Sequence, residues 1–263
     1  MDDTIRRLKE LTDSSDNIVF FGGAGVSTES GIPDFRSVDG LYHQKFRYPP
    51  ETMLSHTFYE THTEEFYDFY RAKMLALDAQ PNAAHRKLAE WERQGKLKAV
   101  ITQNIDGLHQ KAGSRKVLEL HGSVLRNHCT RCGQFYGVER IVNSRGVPRC
   151  SCGGIIKPDV VLYEESLDED VMAEAIHYIR QADMLIIGGT SHVARFWKNV
   201  KREAFGLDNL LKFFAHCPAQ EAGSVSPQGV FRAKCGFFRF PLDIFPKPCY
   251  ICTDIANCDE GDK

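Results

Sequence analysis

The chain has 263 residues, of which 42% are hydrophobic, and its formal net charge is -2 at pH 7. This length and apolar content suffice for one large α/β domain, or for a main domain with a small insert. The near-neutral charge excludes a global electrostatic attraction to nucleic acid or acidic membranes, so we expect neither as a partner.

The first segment, MDDTIRRLKELTDSSD, has the pattern of an amphipathic helix. Ile5, Leu8 and Leu11 fall on one face, and charged residues cover the others. The segment lacks the apolar core of a signal peptide, and no stretch of the chain approaches the roughly 18 apolar residues of a membrane span. We therefore expect a cytoplasmic protein, in which the nine cysteines are free thiols or metal ligands.

Short apolar runs alternate with helical patterns along the next part of the chain. The runs predict strands at 17–21, 98–102, 116–120, 159–163 and 183–187. Between them, 81–94 and 166–181 predict helices, the second of which opens on the capping-box pattern SLDE at 166–169. Apolar strands separated by helices indicate an α/β fold, in which a parallel sheet is covered on both faces.

Two segments interrupt this alternation. Residues 38–80 have an aromatic-rich helical pattern, and residues 125–157 contain four cysteines. We predict that both are inserts and together form a small domain. The main domain is then built from residues 1–37, 81–124 and 158–191.

Glycine-rich or polar motifs follow four of the predicted strands. GGAG follows the first strand, TQNID the second, His121 the third and GGTS the run at 183–187. The carboxyl ends of parallel strands form the ligand-binding edge of such sheets, so we expect these motifs to build one site. An imidazole at this edge is suited to act as a general base near neutral pH, although a lone histidine is more often a satisfied polar residue.

The stretch VFFGGAGVSTESGIPDFR at 19–36 suggests a nucleotide site. Gly23 and Gly25 supply only the first part of G-x-G-x-x-G, and a tight turn without a ligand is the alternative. Asp34, Phe35 and Arg36 follow closely. They offer an acid for a ribose or an amide, a ring to cover a sugar face, and a guanidinium to pair with pyrophosphate.

Four cysteines in the second insert have the spacing of a zinc site. Cys129 and Cys132 form a CxxC pair, and Cys150 and Cys152 form a CxC pair after seventeen intervening residues. A site with four protein ligands leaves no position open for water, so we predict a structural Zn²⁺. Four unpaired cysteines without a metal are the alternative.

The ordered set GAGVSTESGIPDFR, TQNIDGLH, LHG, CxxC with CxC, KPDVV and GGTS resembles the sirtuin family of NAD-dependent protein deacylases, and most of all its bacterial members. The resemblance covers about residues 5–191. It implies a Rossmann-like domain with a zinc-ribbon and helical insert, NAD as co-substrate, structural Zn²⁺, and acetyl-lysine proteins or peptides as partners. The implied reaction transfers an acetyl group from lysine to ADP-ribose and releases nicotinamide.

The resemblance also implies roles for individual residues. His121 and Asn104 are the implied catalytic residues, with His121 as the general base that activates a ribose hydroxyl. The backbone of Val160, Val161 and Leu162 is implied to pair with the substrate peptide as an added strand. The residues implied to contact NAD, besides His121 and Asn104, are Gly23, Ala24, Gly25, Thr28, Asp34, Phe35, Arg36, Gln103, Ile105, Asp106, Gly189, Thr190 and Ser191.

The helical insert bears on acyl preference. Family members that favour succinyl groups resemble one another in a Tyr-x-x-Arg pair, and the matching residues here are Tyr67 and Tyr70, with Arg71 adjacent. We therefore expect acetyl or another uncharged acyl group.

Three other functions stay open. The same activated sugar could support protein ADP-ribosyl transfer, and the chain could be an inactive or truncated homologue. A zinc-ribbon nucleic-acid binder is less favoured, because residues 125–157 have few aromatics interleaved on a basic face.

Residues 192–263 depart from the family pattern. The resemblance implies a further apolar loop, a helix and two strands after Ser191, and none of these motifs is found. We interpret this tail as the product of a reading-frame shift that replaces the C-terminal part of the sheet, with a divergent natural terminus as the alternative. On this hypothesis NAD binding is weakened while the catalytic residues remain.

Overall fold

The computed structural model of the protein describes residues 3–34 and 46–190. Phe35, Arg36, Ser191 and the tail at 192–263 therefore lie outside the described residues. Within the described ranges, no helix is long and apolar enough to cross a membrane.

Seven strands and eight α-helices are found in the described residues. The strands are β1 (Ile18–Gly22), β2 (Leu97–Thr102), β3 (Val117–Glu119), β4 (Gly122–Cys129), β5 (Phe135–Gly137), β6 (Ile156–Val160) and β7 (Met184–Gly188). The helices are α1 (Asp3–Asp13), α2 (Pro50–Met53), α3 (His56–Thr61), α4 (Thr63–Lys73), α5 (Ala83–Arg93), α6 (Leu108–Lys111), α7 (Val138–Val142) and α8 (Glu169–Gln181).

A four-stranded parallel sheet forms the centre of the main domain. Its strand order is β3-β2-β1-β7, and every residue of β1 and β7 is buried. Successive side chains of a strand point to opposite faces, so β1 supplies both layers of core. Phe20 packs with residues of α1 and α5 on one face, while Phe21 packs with residues of α8 on the other. The predicted covering of both faces is confirmed.

The predicted strands of this sheet and the helices between them are confirmed, with two corrections. The helix predicted at 166–181 begins at Glu169, and its cap is Asp168, which accepts from the backbone N–H groups of Asp170 and Val171 at 2.9 and 3.0 Å. The capping box predicted at 166–169 is therefore wrong. The strand predicted at 159–163 lies instead at Ile156–Val160, outside the parallel sheet.

A second, antiparallel sheet has the order β5-β4-β6. It packs against the helices α3 and α4 through one apolar cluster, which includes Phe58, Phe66, Tyr67, Tyr70, Ile141 and Ile156. Tyr67 is fully buried, and its hydroxyl donates to Ile156 O at 2.6 Å, which joins the helical segment to β6. This shared core supports the prediction that the two inserts form one small domain, although its boundaries remain a prediction.

Candidate active site

The ends of β1, β2 and β7 meet at one edge of the parallel sheet. Gly23 N–H donates to Gly188 O at 3.1 Å, and Gly25 N–H donates to Gly189 O at 2.9 Å. A side chain at Gly25 would bring its Cβ within 2.8 Å of Gly189 Cα, so only glycine lets the two turns approach this closely. Thr190 then donates from Oγ1 to Gln103 Oε1 at 2.8 Å, which brings in the end of β2.

Ser27 links two of the predicted site residues. Its hydroxyl donates to Asp106 Oδ2 at 2.7 Å and accepts from Asn104 Nδ2 at 3.0 Å. Asp106 Oδ1 also accepts from Leu108 N–H at 2.9 Å. Ser27 and Asn104 are buried, so these bonds fix the amide and the carboxylate beside the glycine turn.

His121 follows β3 and is oriented by the backbone of β2's end. Its Nδ1 lies 2.9 Å from Gln103 O. A carbonyl oxygen can only accept, so the proton sits on Nδ1 and Nε2 keeps its lone pair. Burial lowers the pKa of His121, while the hydrogen bond to Gln103 opposes this in part. The ring is therefore neutral near pH 7 and able to take a proton at Nε2.

The segment after β6 is hydrogen-bonded to the backbone of His121. Val161 N–H donates to His121 O at 3.0 Å, so the backbone of this segment is bonded to the backbone of His121. The next residue, Leu162, donates its N–H to Glu165 Oε2 at 2.8 Å. Glu165 also contacts His56 Nδ1 at 2.9 Å, which raises the pKa of His56. The hydrogen bonds of Val161 and Leu162 fix the backbone of the segment that follows β6 at the edge of the site.

His85 and His109 form a buried pair of imidazoles. The rings of His85 and His109 are 4.7 Å apart, and both side chains are at most 1% exposed. Asn82 Oδ1 lies 3.0 Å from His85 Nδ1, whereas neither nitrogen of His109 has a hydrogen-bond partner among the described residues. Burial, with a smaller effect of the neighbouring His85, lowers the pKa of His109 to about 3. Both rings are therefore uncharged at neutral pH.

The four cysteines of the second insert converge. The sulfurs of Cys129, Cys132, Cys150 and Cys152 all lie within 4.8 Å of one another, and each cysteine is a free thiol. Four sulfurs at the vertices of a tetrahedron with Zn–S distances of about 2.3 Å fit this spacing. Glycines with positive φ, Gly133 and Gly153, turn the chain after each pair. The donor set fits a closed structural zinc site.

Comparison with known proteins identifies the family. Residues 23–195 match the model of the Sir2 family. The chain belongs to the Sir2 family. Its relatives include the NAD-dependent protein deacetylase of Clostridium perfringens, which is 60% identical over 196 residues, or 73% of this chain and 80% of the relative. That of Cutibacterium acnes is 49% identical over 227 residues, or 81% of this chain and 93% of the relative.

Solved Sir2 structures have the same fold as this Sir2-family chain. A complex described as Sir2, p53 peptide and NAD⁺ is 38% identical, with a TM-score of 0.67 over 81% of this chain and 88% of that one. Sir2 bound to acetylated peptide is 37% identical, with a TM-score of 0.66 over 79% of this chain and 85% of that one. The resemblance inferred from the sequence motifs is thereby confirmed.

Most predicted site residues of the Sir2-family chain lie at this one edge. Ala24 opens a short 3-10 turn, and Thr28 donates from Oγ1 to Gly25 O at 3.0 Å. Ile105 accepts at its carbonyl from Val124 N–H at 3.0 Å and packs against the core of the small domain. Asp34 is half-buried at the end of the first described range. The predictions for Phe35, Arg36 and Ser191 fall outside the described residues.

Sequence reasoning missed Ser27 as a site residue. It stands inside the quoted glycine stretch, but a serine in such a loop has no pattern that distinguishes a buried hydrogen-bonding role from a solvated one. Asn82 was also missed, although an asparagine before a helix is a common cap. Here it caps α5 and donates from Nδ2 to Val26 O at 2.7 Å, so it supports the turn that carries Ser27.

Arg71 is engaged within the small domain. Its Nε donates to Ile141 O at 3.0 Å, and its Nη2 donates to Ser144 Oγ at 3.0 Å and to Gly146 O. The guanidinium is thus used to join α4 to the segment after α7. It is not available in this arrangement to bind a carboxylate on an acyl group, and the preference for uncharged acyl groups stays a prediction.

Proposed function

We propose that this chain is an NAD-dependent protein lysine deacetylase, which transfers acetyl from lysine to ADP-ribose. The observation that carries the proposal is the arrangement around His121. A neutral imidazole, held at Nδ1 by Gln103 O, follows β3 at the strand ends, and the backbone carbonyl of the same residue accepts from Val161 N–H. The relatives named NAD-dependent protein deacetylase and the Sir2 complexes with peptide and NAD⁺ support the same function.

In the proposed mechanism, NAD supplies an activated sugar with nicotinamide as the leaving group. The bonds of Ser27 hold Asn104 and Asp106 ready to orient the ribose and the nicotinamide amide, and His121 takes a proton from a ribose hydroxyl at Nε2. The aligned amide and carboxylate are fixed before the substrate arrives, which lowers the cost of reorganisation in the transition state.

The acetyl-lysine substrate is proposed to pair as an extended strand with the backbone of Val160, Val161 and Leu162. Val161 N–H of this segment donates to His121 O, which supports a peptide path near the proposed base. The remaining NAD contacts, at the predicted residues 23–25, 28, 34–36, 103, 105 and 189–191, are part of the same proposal. The four cysteines are proposed to bind a structural Zn²⁺, and the free thiols favour a cytoplasmic location.

The test is an acetyl-lysine peptide incubated with the full chain, with and without NAD, and followed by mass spectrometry. We expect NAD-dependent loss of the acetyl group, abolished in His121→Ala and retained in the control Tyr178→Phe, which alters a half-buried tyrosine of α8 outside the site. A peptide that gains ADP-ribose and keeps its acetyl group would instead indicate ADP-ribosyl transfer. No NAD-dependent change in the peptide would contradict both.

A further inference from the structure

A tyrosine of the second insert reaches across the four-cysteine site. Tyr136 lies on β5, which follows the Cys129–Cys132 turn and pairs with β4, where Tyr136 stands opposite Asn127. The turn between these strands is closed by Cys129 N–H, which donates to Gln134 O at 2.9 Å. Tyr136 therefore belongs to the half of the site that presents the first cysteine pair.

The hydroxyl of Tyr136 is bonded to a sulfur of the other half. Tyr136 Oη lies 3.0 Å from Cys150 Sγ, and the phenol is the donor when the sulfur is a thiolate. Three other polar atoms near this sulfur are further away, with Cys132 Sγ at 3.6 Å, Gln134 Oε1 at 3.7 Å and Ser151 Oγ at 3.8 Å. Cys150 is buried, and the phenol is a short side-chain hydrogen-bond donor to its sulfur.

Two further hydrogen bonds join the two halves. Thr130 N–H donates to Ile155 O at 2.8 Å, and Arg131 Nη1 donates to Cys152 O at 2.9 Å. Both end on backbone oxygens, and so they hold the halves together without acting on a ligand atom. The phenol acts on the ligand atom itself, where hydrogen bonds from outside the ligand set orient a ligand and tune its hold on a metal.

We propose that Tyr136 is a positioning residue of the four-cysteine site, whose hydroxyl orients Cys150 Sγ and slows the loss of bound Zn²⁺. The inference rests on the proposed zinc site and adds a residue outside the ligand set. Tyr136→Phe keeps the ring and removes the donor. Removing such a partner typically weakens metal affinity by about 10- to 100-fold.

The experiment compares the zinc-loaded full chain with three variants. Zn²⁺ transfer to a chromogenic chelator gives its rate of loss and its dissociation constant for wild type, Tyr136→Phe, Phe135→Leu and Tyr178→Phe. Phe135 is the exposed neighbour on β5 and tests for a general weakening of the strand, while Tyr178 tests for loss of a phenol elsewhere. We expect an affinity about tenfold or more lower in Tyr136→Phe alone.

A spectroscopic readout separates positioning from stability. In the Co²⁺-substituted chains, the sulfur-to-metal charge-transfer band reports hydrogen bonding to the thiolates, and we expect it to shift in Tyr136→Phe only. Zinc affinity within twofold of wild type together with an unshifted band would overturn the proposal. So would an equal loss of zinc from Phe135→Leu. If the wild-type chain binds no Zn²⁺ at all, the proposed zinc site fails first, which distinguishes the two failures.

Discussion

The buried ring of His109 predicts that the protein loses stability as the pH falls. The side chain is 1% exposed and has no hydrogen-bond partner among the described residues, and burial beside His85 lowers its pKa to about 3. In the unfolded chain the pKa of a histidine is about 6.5. Between these values the unfolded state binds a proton that the folded state does not, so stability rises with pH and is lost as the pH falls below 6.5.

The size of this loss follows from the two pKa values. Relative to pH 7.5, protonation of the unfolded chain at this one residue removes about 1 kcal/mol of unfolding free energy at pH 5.5 and about 3 kcal/mol at pH 4.5. Domains are stable by only about 5 to 15 kcal/mol, so this loss is large enough to measure. The magnitude at pH 5.5 is the same for any folded pKa well below that pH.

The assay is urea denaturation of the full chain at pH 7.5, 6.5 and 5.5, compared with His109→Leu. Other groups titrate in both proteins, so the test is the difference between their pH profiles. We expect wild type to lose about 1 kcal/mol more than His109→Leu between pH 7.5 and 5.5. The control His177→Gln, at an exposed position on α8, should follow wild type. Parallel profiles for wild type and His109→Leu would refute the reasoning.

Three further outcomes are expected. In urea denaturation, Gly133→Ala should lower the unfolding free energy by about 1 to 2 kcal/mol, because Gly133 has a positive φ. Gly122→Ala should lower it by more, because Gly122 also has a positive φ and its added Cβ would clash with the backbone of Asp159. Ser27→Ala should weaken NAD binding by about tenfold in calorimetry, since the buried Asn104 amide and the half-buried Asp106 carboxylate lose their shared hydrogen-bond partner. Asn82→Ala should lower the thermal midpoint more than Asp168→Ala, because Asn82 also donates to the backbone of the glycine turn. Equal effects within a pair, or unchanged NAD affinity, would contradict these expectations.

The main sheet could be predicted from the sequence because its strands are buried on both faces. Runs such as those at 17–21 and 183–187 are apolar throughout, and glycine or polar residues mark their ends. The sequence prediction for the strand near 159 is wrong about its sheet, because apolar residues in a strand fit either sheet. The strand joins the antiparallel sheet because it pairs with β4, where Val160 stands opposite Gly122.

Several residues of the candidate site could be predicted from the sequence, but the hydrogen bonds among them could not. His121, Asn104 and Asp106 stand out as polar residues after strands, and the cysteine spacing predicts a metal site. The role of Ser27 depends on two side chains that lie 77 and 79 residues away in the sequence, and the Tyr136 contact depends on how two turns of the insert meet. Such contacts have no local signal, because they arise from the tertiary fold.

The proposed function requires that this chain couple NAD cleavage to removal of an acetyl group from lysine. The most direct measurement counts nicotinamide released and lysine deacetylated in one reaction containing NAD and an acetylated peptide. We expect one nicotinamide for each acetyl group removed, with O-acetyl-ADP-ribose as the other product and no nicotinamide release without the acetylated peptide. Nicotinamide release that is indifferent to acetylation, or deacetylation without NAD, would contradict it.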